Sequence, residues 1–223
     1  MTPQKVLLSW SSGKDSAWAL HTLQQREDVE VVGLITTLNQ KAQRVAMHAV
    51  REKLLEAQAE ALGLPLTKVY IPSPCTNDEY EATFKAAMLT AKKEGVEAMA
   101  YGDLYLEDVR DYRIRLHEGS GLEPLFPIWG IPTEALSQQM VAAGLRAHIT
   151  CVDPKQLDPD FVGRVYNADF LSDLPETVDP CGENGEFHSF VFEGPMFRKP
   201  LAVVQGERVE RSGFFFGDLR LAG

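Results

Sequence analysis

Apolar runs of strand length alternate with helical apolar spacing through the first 130 residues. Val6 to Leu8 is a short apolar run between a polar start and a small-residue loop, which predicts a buried strand. From Asp15 to about Gln25 the apolar positions Ala19, Leu20 and Leu23 share one helical face. Val29 to Ile35 reads as a second strand, and the polar, aperiodic stretch Thr36 to Ala46 as a loop. A helix is expected from about His48 to Leu62, with Val50, Leu54, Leu55, Gln58, Ala61 and Leu62 on or beside its packed face and Gly63 as its stop. Leu66 to Ile71 is a third strand, ended by Pro72 and Pro74. A third helix, capped by Asn77, turns Tyr80, Phe84, Ala87, Met88 and Ala91 inward and closes at Gly95. Val96 to Tyr101 and Leu122 to Phe126 complete five strands. Alternation of this kind predicts a Rossmann-like α/β fold, a parallel five-stranded sheet with helices on both faces.

The two prolines of Pro127-Ile-Trp-Gly-Ile-Pro132 mark a boundary, since each restricts the residue before it. It divides the chain into 1–131 and a smaller α+β unit, 132–223. In the second part a helix is expected from Thr133 to Ala143 and a strand from Arg146 to Val152. Short helices follow near Phe161 to Val165 and Ala168 to Leu171. Phe187 to Phe192, Leu201 to Gln205 and Val209 to Phe216 read as strands, with Gly206 in a hairpin turn.

Candidate chemistry begins where the first strand meets the first helix. Ser9 to Gly13 has small side chains, so backbone N–H groups can approach a ligand. The helix start adds unpaired N–H groups and the positive end of its dipole. Lys14 contributes a positive charge, and Ser11, Ser12 and Ser16 contribute hydroxyls. A phosphate suits such a site. The Walker pattern does not fit, because Leu8 stands where its first glycine belongs and Asp15 follows the lysine. The bland alternative is an ordinary strand-to-helix turn capped by Ser12 or Asp15.

Ser11-Ser12-Gly13-Lys14-Asp15-Ser16 instead resembles Ser-Gly-Gly-x-Asp-Ser, the pyrophosphate loop of the N-type ATP pyrophosphatases, with Ser12 where the pattern has glycine. A serine there costs backbone freedom if the position needs positive φ. Asp179-Pro-Cys-Gly-Glu-Asn-Gly-Glu-Phe-His188 resembles the Gly-Glu-x-Gly-Glu motif of the diphthine–ammonia ligase family within that group. Tyr101-Gly-Asp-Leu104, Gly121-Leu-Glu-Pro-Leu-Phe-Pro-Ile-Trp-Gly130 and Arg44-Val-Ala-Met-His48 agree with it. Phe187-His188 stands where the diphthine enzymes tend to carry Tyr-Glu. The resemblance covers about residues 5 to 197. It implies a sheet of the HUP type, cleavage of ATP to AMP and pyrophosphate, adenylation of a carboxylate, and amide formation with ammonia or an amine. The acid is then a small molecule or a protein-borne carboxylate.

Nucleotide-binding residues expected on this basis are Ser9, Ser11, Ser12, Gly13, Lys14, Asp15, Ser16, Ile35, Thr36, Thr37, His48 and Gly102, with the adenine near Ile35 to Leu38. Asp103, ending a parallel strand beside a triphosphate, is placed to hold Mg²⁺, or else to cap the next helix. Lys14, Asp103, Glu183 and Glu186 are the candidate catalytic residues. The two glutamates could hold the amine, hold a second metal, or lie in a solvated loop. His48 and His188 could touch phosphate or carry a proton. One of Arg110, Arg113 and Arg115 is expected to offset charge on the departing pyrophosphate, and the others to pair with surface acids.

Composition narrows the partners. With 22 basic against 32 acidic residues, the net charge of −10 argues against a polyanion surface, so no nucleic acid is favoured. No run approaches the roughly 20 apolar residues of a membrane span, and the start lacks a signal-like segment. Cys75, Cys151 and Cys181, odd in number and far apart, indicate neither disulfides nor a zinc site. A cytoplasmic protein is expected, and a homodimer is left open. Two other readings stay open. One is a sulfur transferase using the same adenylation, with Cys181 the cysteine inside a motif. The other is a nucleotide-binding regulator without turnover.

Overall fold

The computed structural model describes residues 2–40 and 50–222, together with the backbone of Arg44 and Val45. The chain forms two compact units: Met1–Ser11, Asp15–Ala46 and Leu64–Gly130 make the first, and Ser12–Lys14, Met47–Gly63 and Ile131–Gly223 the second. One of the divisions between the units falls between Gly130 and Ile131. Two earlier segments, one of them the centre of the candidate phosphate loop, group with the second unit.

In the first unit, β1 (Gln4–Ser9), β2 (Val29–Asn39), β4 (Leu66–Ile71), β5 (Ala98–Ala100) and β6 (Glu123–Leu125) form a parallel sheet in the order β4-β2-β1-β5-β6. A two-residue strand, β3 (Arg44–Val45), pairs antiparallel with the end of β2. The expectation of a five-stranded parallel sheet is met. Strand β2 runs four residues beyond Ile35, into the predicted loop. Thr36 to Asn39 pair with Lys68 to Ile71 of β4, and this ladder outweighs the polarity of the segment.

Strand alternation sorts the core. Leu7, Ile35, Val69 and Met99 face α3 (Asn77–Lys93) and α4 (Glu107–His117), packing on Phe84, Met88, Ala91 and Leu116. Val6 and Leu8, also buried, point to the opposite face. The right-handed crossover from β1 to β2 brings α1 (Lys14–Gln24) there, and Ala17, Ala19, Leu20 and Leu23 are buried. Helix α3 is capped by Thr76 rather than Asn77. The Thr76 hydroxyl accepts from Glu79 N while Glu79 returns to Thr76 N, which satisfies two N–H groups reciprocally.

The second unit is built on β7 (Arg146–Val152), which pairs antiparallel with β8 (Val165–Tyr166), β9 (Phe187–Glu193) and β11 (Phe214–Leu221). β10 (Val203–Arg211) pairs on β11. Helices α2 (Glu52–Leu62), α5 (Thr133–Ala142) and α6 (Ala168–Asp173) belong to it. Its core centres on rings: Phe170 lies 5.4 Å from Tyr166, 5.3 Å from Phe187 and 5.6 Å from Phe161. The helix expected near Phe161 to Val165 is a single 3-10 turn, Pro159–Phe161. Gly163 at φ +87° ends it, and β8 follows. The hairpin turn lies not at Gly206 but at Ser212-Gly213, where φ is +51° and +82°, as a two-residue turn of this hand requires. Gly206 stays in strand beside a register shift, facing the Asp218 carboxylate.

Candidate active site

Strand order reverses between β1 and β5, so the first unit's ligand crevice is expected at their carboxyl ends. Ser9 ends β1. Trp10 N donates to the Ile35 carbonyl at 2.8 Å, and the Thr36 hydroxyl donates to the Trp10 carbonyl. Ile35 and Thr36 are buried and Thr37 half-buried, all three paired along β4. The Ile35 carbonyl is thus already engaged where an adenine edge was expected. Ser11 Oγ and Ser16 Oγ lie 3.1 Å apart across the loop. Gly102, straight after β5, faces the start of α1: a Cβ there would lie 2.8 Å from both the Asp15 carbonyl carbon and Ser16 N. Only glycine lets the two backbone segments approach so closely.

Asp103 comes next. Its Oδ2 is buried, with no hydrogen-bond partner among the described residues, and lies 3.5 Å from Arg113 Nε in an ion pair too long for a hydrogen bond. Burial raises its carboxyl above the ordinary range. Arg113 pulls the other way, and the Asp15 charge adds to the rise. Asp103 does not cap α4, whose N-cap position is Leu106. Arg113 lies over the Tyr101 ring at 4.7 Å. Arg110 lies over Trp129 at 4.7 Å and Phe126 at 5.4 Å. Arg115 is exposed.

The centre of the loop is held by the second unit's own residues. Ser12 has φ +72°, in the region that favours glycine. Its carbonyl accepts from Gln58 Nε2 at 3.1 Å and Val191 N at 3.0 Å, and Gln58 Nε2 also donates to the Val191 carbonyl at 2.7 Å. Ser12 Oγ is buried and has no hydrogen-bond partner among the described residues. Gly13 is buried as well. Lys14 N donates to Ser189 Oγ at 3.2 Å. The Lys14 ammonium is buried; it donates to the Cys181 carbonyl and lies 5.6 Å from the Phe187 ring centre and 5.9 Å from that of Tyr166. His188 is neutral at physiological pH, its pKa lowered to about 4 by burial and then by the Lys14 charge. His48 lies outside the described residues.

The two candidate glutamates occupy different environments. Glu186 is buried. Its Oε1 accepts from Asp179 N at 2.9 Å and Asn184 Nδ2 at 3.0 Å, and its Oε2 from Asn184 N at 2.9 Å. Glu183 is half-buried, its N–H 3.4 Å from Asp179 Oδ1. Asp179, which the motif reading passed over, closes the loop: Oδ1 also accepts from Cys181 N at 2.8 Å and Oδ2 from Thr133 Oγ1 at 2.7 Å. An Asp accepting from the N–H two residues on is an Asx turn, a signal available in Asp179-Pro-Cys181. Gln58 was visible too, as the polar residue on the apolar face of α2. Among the described residues no three His, Cys, Asp or Glu side chains form a metal cluster, and Cys75, Cys151 and Cys181 form no disulfide. No helix among them is long and apolar enough to cross a membrane.

Comparison with known proteins gives matches along most of the chain. Residues 4–124 match the model of the diphthamide synthase N-terminal domain and residues 132–217 that of the diphthamide synthase C-terminal domain. Among curated relatives, the diphthine–ammonia ligase of Rattus norvegicus is 30% identical over 200 residues, covering 81% of this chain and 73% of that protein. The diphthine–ammonia ligase of Homo sapiens is 30% identical over 190 residues, 78% of this chain and 69% of that protein. The Schizosaccharomyces pombe protein of the same name is 26% identical over 93% of this chain but 37% of its own length.

Proposed function

Since the chain belongs to the diphthamide synthase family, we propose that it is an ATP-dependent ligase that adenylates a carboxylate, releases pyrophosphate and joins the acyl group to ammonia or an amine. The observation that carries this is the pair of domain models matched in order, each containing one motif: the loop from Ser11 to Ser16 in the first and the Asp179–Glu186 loop in the second. The acid is a small molecule or a protein side chain such as diphthine. The site of action is the cytoplasm. The sulfur-transfer and regulator readings lose their ground, because the relatives are named as ligases.

The carboxylate oxygen attacks the α-phosphorus and the bond from that phosphorus to the α,β-bridging oxygen breaks, giving an acyl-adenylate and pyrophosphate. Loop N–H groups, the serine hydroxyls and Lys14 stabilise the departing charge. Lys14 must first exchange the Cys181 carbonyl for phosphate oxygen. Magnesium suits Asp103: a buried carboxylate oxygen without a hydrogen-bond donor is what a hard cation shared with phosphates requires, and no all-protein cage is needed. When bound, it would neutralise charge on the pyrophosphate. Glu183 is assigned to the amine as the more exposed of the two motif glutamates, Glu186 being buried.

The experiment is to incubate the protein with ATP, ammonium and a panel of carboxylic acids and to measure nucleotide products. AMP and pyrophosphate that depend on an acid are expected. ADP and phosphate instead would overturn the reading. Glu183→Gln should keep acid-dependent pyrophosphate release while amide formation drops, and equal amide yield would remove Glu183 from the amine site.

A further inference from the structure

At the carboxyl ends of β5 and β6, within the first unit, cations and rings form a ladder that the phosphate loop does not use. Arg113 stacks on Tyr101, Tyr101 on Phe126 with ring centres 5.8 Å apart, and Arg110 rests on both Phe126 and Trp129. Arg113 has Asp103 beside it. Arg110 has no such companion. Its Nε is buried without a hydrogen-bond partner, and no acidic side chain among the described residues pairs with its guanidinium. Both rings hold the guanidinium in place, and its two Nη–H groups, which are not buried, form a two-pronged donor.

We propose that Arg110 is the docking point for the carboxylate of the acid that is to be activated, with Phe126 and Trp129 as the shelf that orients it. This rests on the ligase reading above. A planar carboxylate matches the guanidinium edge bidentately, and one unpaired positive charge matches one carboxylate. A pyrophosphate would bring more negative charge than Arg110 alone offsets, and it has its own donors in the loop. The position is also right. Asp103 and Gly102 connect the ladder to Asp15 and Ser16, and β6 lies two strands from β1, about 10 Å at the usual spacing. An acid docked at this edge lies beside a nucleotide held by the loop.

The direct probe is the Arg110 Nε–Hε signal in the nitrogen-15 spectrum of the intact protein, assigned by its loss in Arg110→Lys. Acetate, benzoate and glutarate should each shift it saturably, and pyrophosphate should leave it in place. A shift with pyrophosphate alone, or with none of the four, overturns the proposal. The kinetic arm uses any acid that supports AMP formation. Arg110→Lys should raise its KM at least roughly tenfold, as loss of a two-pronged charged contact implies, with the KM for ATP within about twofold of wild type. If carboxylates move the signal but no acid yields AMP, the docking point stands and the ligase reading falls. If an acid yields AMP with a KM that Arg110→Lys leaves unchanged, the docking point falls and the ligase reading stands.

Discussion

Replacing Glu186 with glutamine separates a bracing role from a substrate-binding one. The Glu186 carboxylate accepts three N–H groups, two of them backbone, in a site with 1% exposure. Glutamine keeps one oxygen. If that oxygen stays toward Asp179 N and Asn184 Nδ2, the new NH₂ faces the Asn184 N–H, donor against donor. A buried donor left unsatisfied costs about 1–3 kcal/mol, and two bonds to a neutral rather than charged acceptor weaken by about 1 kcal/mol together. The expected loss is about 2–4 kcal/mol, or a fall of roughly 5–15 °C in melting temperature for a chain of this size. The comparison is Glu183→Gln, which should cost less stability than Glu186→Gln because Glu183 is the less buried of the two. Urea unfolding followed by circular dichroism measures both, and amide exchange over 179–187 locates the damage. If Glu186→Gln is as stable as wild type, Glu186 is not a brace and returns as a candidate for the amine.

Three further outcomes are expected. Lys14→Ala should weaken ATP binding at least tenfold more than adenosine binding in calorimetric titration, and equal losses would show that the lysine never reaches phosphate. His188 has a folded pKa near 4, below the unfolded value of about 6.5. The unfolded chain therefore binds the extra proton, and stability from this group is full above about pH 6.5 and is lost as pH falls toward 4, by up to about 3 kcal/mol. An NMR titration placing the His188 pKa above about 6 would refute that. Gly102→Ala should push the start of α1 away, since its new Cβ would lie 2.8 Å from backbone. A loss of more than tenfold in ATP affinity with little change in melting temperature is expected, and unaltered affinity would contradict the close approach.

Much of the first unit was legible because its signals are periodic and local. The order strand, small-residue loop and helix is written within twenty residues of the start, and the five strands follow from apolar runs at regular intervals. The failures have a common cause in pairing. Nothing local tells Thr36 to Asn39 that β4 lies alongside to extend their strand. Ser212-Gly213 and Gly206 are both plausible turns until the partner strand sets the register. The same holds for the site. Glu183 and Glu186 are equivalent letters in a motif, and burial alone distinguishes them. The Arg110 shelf joins residues from a helix and from a loop 16 to 19 positions on, a juxtaposition no spacing rule predicts.

Ser12 shows how such a departure from pattern should be weighed. A serine at φ +72° costs about 1–2 kcal/mol that glycine would not, and its buried hydroxyl without a partner among the described residues adds a cost of similar size. The backbone could not relax cheaply, because its carbonyl is pinned by both Gln58 Nε2 and Val191 N. Strain held in place by surrounding contacts, at a position where the family pattern has glycine, is what a side chain selected for use would show. If the hydroxyl serves only local structure, Ser12→Gly should gain about 1 kcal/mol or more and bind ATP as before. If it serves phosphate, the same change should gain stability and lose ATP affinity together. Unfolding and calorimetry on that one variant decide between the two.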